Sequence, residues 1–302
     1  GLITESNTMN ALGLAAFDAA GATAWREKTL PVPVAGDTVQ ADIAVANVAG
    51  GLFNSSVVVD KISEIKVSLE VANAVRTLLQ TNRYELKVES AEPASDFMIE
   101  IRRANEATWH ILGNTQIVDN YKQRVAGKFK LRGKATISGS VHTSPENDLE
   151  VQFPSFAEIS GDATVSAHVN QSWADTKAAA TDTSRREEGY YILVNTAGPL
   201  DGYTFTATVL GASVGPMDGA SVNFSPPPAD SPANPAPNTA ATYTVGSFHT
   251  HTPTAFRPVG RAVGPSGADH NVDTSENVVG LVYDYVGDAT GNAPAGHPLN
   301  SA

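Results

Sequence analysis

The spacing of apolar and polar positions changes along the chain. In the segment from Ile62 to Gln80, apolar residues recur at intervals of three and four, which is the spacing of one helix face. Asp60 stands just ahead of this segment and suits the N-cap position. The spacing therefore predicts a helix over 62–80 as the main helix of the first half. A further helix is predicted near Asn10 to Trp25, ahead of Pro31.

From Arg83 onward the period becomes two. Alternating segments are separated by short polar or turn-rich stretches, and they are Tyr84 to Val88, Phe97 to Ile101, Thr108 to Leu112, Phe129 to Leu131, Ala135 to Val141, Leu149 to Phe153 and Thr164 to Val169. Alternation of this kind is typical of antiparallel strands that bury one face. The first part of the chain is thus predicted to be a mainly antiparallel sheet packed on one helix.

A second set of elements is predicted after Asn170. Residues 173–188 have helical composition, Gly189 ends the helix, and strands are predicted over 190–195, 203–210, 241–248 and 277–285. The segment 225–238 contains six prolines, which predicts an exposed loop. A passive surface insertion is favoured for this loop over a lid that grips a substrate.

These patterns predict an α+β protein with two domains. The first, residues 1–170, is a strand-rich module with one main helix, and the second, residues 171–302, carries the proline-rich loop at 225–238. A length of 302 residues is sufficient for two domains with separate cores.

Charge and composition narrow the function classes. A net charge of −12 argues against nucleic acid as a partner, because phosphate contacts need clustered basic residues. The basic cluster from Lys122 to Lys134 alternates along a predicted strand and is interpreted as a solvated strand face. The absence of cysteine excludes disulfides, thiolate zinc ligands and cysteine nucleophiles. No apolar run is long enough to span a membrane, and the abundance of Ala, Gly, Thr and Val predicts an extracellular or cell-surface protein.

Two histidines at the end of the predicted 241–248 strand are the strongest chemical signal. His249 and His251 flank one residue, and side chains at i and i+2 of a strand point the same way. Asp269 offers a carboxylate downstream. Two nitrogens and one oxygen leave a fourth position open, as in catalytic rather than structural zinc sites. An alternative acidic set, His270 with Asp273, replaces Asp269 if the register of the connecting loop shifts.

The histidine pair together with Ser266-x-x-Asp269 resembles the signature of the JAMM, or MPN-type, metalloprotease family. The resemblance covers about Thr181 to Val286 and is closest to bacterial, secreted-looking versions. It implies an MPN-like α/β sandwich for residues 171–302. Two features depart from the family pattern: Thr252 separates the second histidine from Pro253, and the loop from His251 to Ser266 is long.

The resemblance also implies the roles of the site residues. His249, His251 and Asp269 would bind Zn²⁺, and the Ser266 hydroxyl would donate to the developing oxyanion. In that family an upstream glutamate is the general base, and here Glu187 or Glu188 lies in the matching place, at a predicted helix-to-strand junction. Glu187 is preferred, because its offset from the following glycine and apolar strand matches the family better.

Two function hypotheses follow. The first is a zinc-dependent peptidase or isopeptidase that hydrolyses an amide bond of a protein or peptide substrate. The second is a structural or assembly subunit of a cell surface, filament or phage particle, which self-assembles through the N-terminal module and carries a degenerate or decorating MPN-like domain. It is suggested by the cysteine-free, Ala/Gly/Thr/Val-rich composition. A toxin module with a protease effector rests on the family analogy alone.

Overall fold

The computed structural model describes residues 64–199, 201–215, 218–223, 226–253, 266–283 and 299–301. Contacts divide the chain into Gly1–Ile62 and Ser63–Ala302, and every described residue belongs to the second unit. The helix predicted near Asn10 to Trp25 lies outside the described residues. Among the described helices, none has the length and apolar character needed to cross a membrane.

The first nine strands form two sheets. In chain order they are β1 (Lys66–Val71), β2 (Val75–Thr77), β3 (Thr81–Glu89), β4 (Ala94–Arg103), β5 (His110–Gly113), β6 (Ile117–Lys122), β7 (Gly127–Ile137), β8 (Ser140–Thr143) and β9 (Asn147–Gln152). One sheet has the order β1–β3–β6, and the other has the order β2–β9–β7–β4–β5 with β8 beside β7. All pairs are antiparallel except β2 with β9. The strand-rich character of this part is thus observed directly.

The two sheets approach each other closely at Gly133. A Cβ on this residue of β7 would lie 2.0 Å from Cδ1 of Leu86, which is a fully buried residue of β3. The missing side chain therefore lets the two buried faces meet. The outer face of β7 carries Lys130, Arg132 and Lys134. Lys130 pairs with Asp148 at 2.6 Å, and the other two pair with Glu100, so the basic cluster is an ion-paired strand face.

The helix predicted over 62–80 is wrong, because the described part of this segment forms β1 and β2. Val67, Leu69 and Val71 also satisfy a period of two, and β1 pairs with β3 along its whole length, with Leu69 opposite Leu86. The Asn82 side chain accepts from the backbone N–H of Asn73 at 3.2 Å and donates to its carbonyl at 2.8 Å. The segment fits the helical and the strand pattern equally well, and pairing with β3 selects the strand.

The remaining elements form a third sheet with helices. They are α1 (Phe156–Gly161), α2 (Ala163–Ala179), β10 (Glu188–Asn195), β11 (Gly202–Phe205), β12 (Val209–Leu210), β13 (Thr242–Thr250), α3 (Gly267–Glu276), β14 (Val279–Tyr283) and β15 (Leu299–Ser301). The strand order is β11–β10–β13–β14–β15, and β12 also pairs with β10. Among the described strand pairs of this sheet, only β13 and β14 run parallel. Together with the first two sheets this gives a strand-rich α+β structure.

Helices cover both faces of the third sheet. On one face α2 contacts β13 through the Thr176 and Thr250 hydroxyls, 2.7 Å apart, and β10 through the rings of His168 and Tyr190. On the other face the Tyr191 hydroxyl of β10 donates to Oε1 of Glu276, the last residue of α3, at 2.8 Å. The sheet thus has an α2 face and an α3 face. The domain boundary predicted at 170/171 falls within α2 and stays a prediction.

Helix α2 begins and ends earlier than predicted. The strand predicted over 164–169 is wrong, because Asp162 caps the helix by accepting from Thr164 N–H at 2.8 Å and from Val165 N–H at 3.2 Å. The helix ends at Ala179, so Glu187 and Glu188 do not lie at its end. The buried residues of α2 follow helical spacing, and they are Val165, Val169, Ser172, Trp173 and Thr176. Alternation over only six residues concealed that longer period.

The proline-rich segment is anchored at the start of β13. Ser231 and Thr242 exchange backbone hydrogen bonds of 2.8 and 3.0 Å, and the Arg103 guanidinium donates to the Pro235 carbonyl, with Nη2 at 2.8 Å. His249 is seven residues further along β13, or about 23 Å at the strand rise. These contacts anchor the segment at the start of β13, and the choice between a passive insertion and a lid stays a prediction.

Candidate metal centre

His249 lies in the centre of the third sheet, where its neighbours fix its position. It lies opposite Gly189 of β10 and beside Val282 of β14, so both neighbouring strands hold its backbone. Phe248 and Thr250 point to the α2 face, which places His249 on the α3 face. His251 lies one residue beyond β13, and its backbone N–H donates to the Tyr283 carbonyl at 3.1 Å. The two imidazole rings are 5.2 Å apart between centroids.

Helix α3 places Asp269 against these imidazoles. The Ser266 N–H donates to Oδ2 of Asp269 at 2.5 Å, and the Asp269 N–H donates to the Ser266 hydroxyl at 3.3 Å. This reciprocal pair is a capping box at the start of the helix. It leaves Oδ1 of Asp269 3.4 Å from Nε2 of His249, and Oδ2 3.8 Å from Nε2 of His251.

The geometry of this cluster suits a metal ion. One donor atom from each of the three residues lies within 4.8 Å of the other two. The nitrogen–oxygen separations of 3.4 and 3.8 Å exceed ordinary hydrogen bonds. They are close to the spacing of about 3.3 Å that tetrahedral ligands have when each bond is about 2.0–2.1 Å. His249, His251 and Asp269 could therefore hold a metal ion, as the sequence predicts.

The cluster is accessible from solvent. The side chains of His249, His251 and Asp269 are 10%, 12% and 18% exposed, so an added ligand could reach a metal held there. Burial alone would raise the pKa of Asp269, but the imidazoles of His249 and His251 and the Ser266 N–H hold it well below its usual range. Asp269 is therefore charged and available as a ligand throughout the neutral range. Among the described residues, no other set of three such side chains converges in this way.

The two candidate bases lie on opposite faces of the sheet. Glu188 shares the α2 face with Tyr190, and its carboxyl lies against Ser172. Glu187 immediately precedes β10, in an extended segment where its carbonyl accepts from Gly211 N–H at 2.8 Å. The strand alternation places it on the face of Gly189 and therefore on that of His249. Both are largely buried, at 8% and 6% exposure for Glu187 and Glu188.

Glu188 is therefore expected to act on stability rather than on chemistry. Burial and the nearby Asp175 raise the pKa of Glu188, and Ser172 and Arg186 offset this only in part. A folded pKa above the unfolded one means that ionisation costs stability, and this loss grows as pH rises from about 4.5 through the folded pKa. Glu188→Gln should raise the thermal unfolding midpoint at pH 7–8 and leave it unchanged near pH 4. An equal shift at both pH values would contradict this.

Of the other predicted site residues, the structure describes the side chain of Ser266 but not those of His270 and Asp273. Ser266, predicted as an oxyanion donor, is found as the N-cap of α3, with its hydroxyl accepting from Asp269 N–H. The side chains of His270 and Asp273 lie outside the described part of the chain. The sequence interpretation missed Arg185, which lies on the segment that leads into β10, and Tyr191, which lies within β10. Continuing the period-two pattern from Gly189, back to Arg185 and forward to Tyr191, would have placed both of them on the face of Glu187.

No family model, curated protein or solved structure matches this chain. The resemblance to JAMM-type metalloproteases therefore rests on the sequence motif alone and stays a prediction.

Proposed function

We propose that the chain is a zinc-dependent peptidase or isopeptidase of the JAMM type, with an MPN-like domain in its C-terminal part. The observation that carries the proposal is the convergence of His249, His251 and Asp269 donor atoms within 4.8 Å at a partly exposed position. The placement of Glu187 on the same face of the sheet supports it further.

The donor set favours zinc. Two imidazole nitrogens and one carboxylate oxygen form a three-ligand set with an open fourth position, which is the pattern of catalytic zinc sites. Magnesium and calcium prefer all-oxygen ligands, and the chain has no cysteine for softer metals. A zinc ion held there supplies Lewis acidity and lowers the pKa of a bound water toward neutrality.

The protein groups then divide the remaining work. His249, His251 and Asp269 would hold the metal, and the Ser266 N–H fixes the Oδ2 atom of the Asp269 carboxylate. Glu187 accepts a proton from the attacking water and returns it to the leaving amine. The Ser266 hydroxyl accepts from Asp269 N–H, and its own proton can still be donated to an oxyanion.

Metal analysis joined to a peptide-cleavage screen tests the proposal. Protein dialysed against excess zinc and then against buffer should retain one zinc ion per chain. It should cleave members of a mixed library of linear and isopeptide-linked peptides, detected by mass spectrometry. A chelator should stop cleavage, and zinc should restore it. A chain that retains no zinc after this treatment would refute the proposal.

A structural or assembly role is the second candidate. Apolar side chains are exposed on short strands of the first two sheets, and they are Val75 at 54%, Ile111 at 46%, Ile117 at 40% and Val141 at 66%. Exposed apolar strands are surfaces that pair readily with other chains. Light scattering and electron microscopy showing regular polymers of a zinc-free protein would favour this role. Polymers with bound zinc would indicate an enzyme domain carried on an assembly.

A further inference from the structure

A buried arginine connects the end of the histidine strand to the segment that carries Glu187. Arg185 is 1% exposed. Its Nη1 group donates to the Thr252 hydroxyl, its Nε to the Gly215 carbonyl at 3.3 Å, and its Nη2 to the Asp218 carbonyl. One guanidinium thus joins the residue that follows His251 to the carbonyls of Gly215 and Asp218.

The chemistry of arginine suits this connection. Guanidinium is planar and presents five N–H donors in a fixed fork, so it can hold several acceptors at defined angles. Taking such a charge out of water costs several kcal/mol unless its donors are satisfied. Here its three nitrogens all reach acceptors, and its backbone exchanges hydrogen bonds with Val214 at 3.0 and 2.9 Å. The Arg185 guanidinium therefore joins Thr252, Gly215 and Asp218 with every one of its nitrogens satisfied.

The two histidine ligands differ in how their backbones are held. His249 lies inside β13, between Gly189 and Val282. His251 lies one residue beyond the end of β13, and its backbone N–H donates to the Tyr283 carbonyl at 3.1 Å. The side chain of the next residue, Thr252, is completely buried and accepts from Arg185. Since adjacent residues share a rigid peptide plane, fixing Thr252 restricts the position of His251.

We infer that Arg185, acting through the Thr252 hydroxyl, is a positioning residue that sets the His251 imidazole for metal binding. This inference rests on the metal centre of the proposed function. Partners outside the ligand shell that orient a ligand are worth about 10–100-fold in metal affinity. Loss of the Thr252 hydroxyl should weaken zinc binding by about that factor.

Thr252→Val removes the hydroxyl while keeping the side-chain shape. Thr196→Val is the matched control, because Thr196 is 1% exposed and its hydroxyl donates to the Ala241 carbonyl at 3.0 Å and accepts from its N–H at 2.7 Å. Thr196 follows the end of β10 that is remote from Glu188. Both variants lose a buried hydroxyl, so both should show a lower unfolding midpoint. Only Thr252→Val should weaken zinc binding, by about 10–100-fold in competition with a chelating indicator.

Two further measurements distinguish the positioning of His251 from a general loss of stability. Thr252→Ser keeps the hydroxyl and should restore wild-type zinc affinity even if it unfolds at a lower temperature. The visible spectrum of bound Co²⁺, which depends on coordination geometry, should change in Thr252→Val and match wild type in Thr252→Ser and Thr196→Val. Equal zinc affinity in Thr252→Val and wild type would overturn the inference and leave the metal centre intact. A wild type that binds no zinc would overturn both.

Discussion

Glu187→Gln is expected to slow amide hydrolysis by about 10²–10⁴-fold, which is the usual contribution of a positioned general base. The amide of glutamine keeps the size of the side chain but cannot accept the proton of the attacking water. Glu187 contributes no ligand to the convergent cluster, which consists of His249, His251 and Asp269. The variant should therefore still bind one zinc ion, so that activity and metal content separate. Initial rates on the best library peptide, with zinc determined on the same samples, measure this.

Glu188→Gln is the matched control, since it makes the same chemical change one residue along the chain. Its carboxyl lies on the α2 face with Ser172 and Asp175, while His249 lies on the α3 face. Hydrolysis should therefore stay near the wild-type rate in Glu188→Gln. If instead the rate collapses in Glu188→Gln and survives in Glu187→Gln, the assignment by strand alternation is wrong.

The three candidate metal ligands could be predicted from the sequence because their arrangement is local. His249 and His251 flank one residue at the end of a strand, and that spacing alone predicts two imidazoles on one face. Asp269 was found through its spacing from Ser266, and the structure shows why that spacing recurs: the two residues form a capping box that orients the carboxylate. A pattern that usually marks only a helix start here also supplies the third candidate ligand.

The sequence gives little basis for choosing between Glu187 and Glu188 as the general base. It requires the register of β10 against β13, and a shift of one residue moves every side chain to the other face. The sequence interpretation placed both residues at the end of a helix that in fact ends at Ala179. The Thr252 contact of Arg185 was hidden for a related reason, because it spans 67 residues.

The secondary structure was predicted correctly where a segment fitted one hydrophobic period only. It was predicted wrongly where a segment fitted both the helical and the strand period. The alternation in β7 admits no helix, and the structure has a strand of eleven residues there. The segments 62–80 and 164–169 fit both a strand and a helix over a few residues. Partners remote in the sequence decided the first, through pairing with β3, and the Asp162 cap marks the second as helix. Such choices depend on burial that appears only after folding.

Removing one imidazole is expected to have the largest effect on metal binding. His249→Ala leaves one nitrogen and one carboxylate, and its loss should exceed the 10–100-fold that is typical for partners outside the ligand shell. We expect zinc affinity to fall by more than about 100-fold in competition with a chelating indicator. His110→Ala is the control, because His110 is also a strand histidine but lies on β5 in a different sheet. Its zinc affinity should equal that of wild type.

Thermal unfolding gives an independent measurement of the same centre. The ligands come from β13 and its continuation and from α3, so a bound metal joins two segments and stabilises only the folded chain. Zinc at 100 times its dissociation constant should add about 2.7 kcal/mol, which raises the unfolding midpoint by about 5–10 °C for a unit of this size. Chelation should remove the shift in wild type and in His110→Ala. His249→Ala should show almost no shift at that zinc concentration, and a full shift there would mean that zinc stabilises the chain at another place.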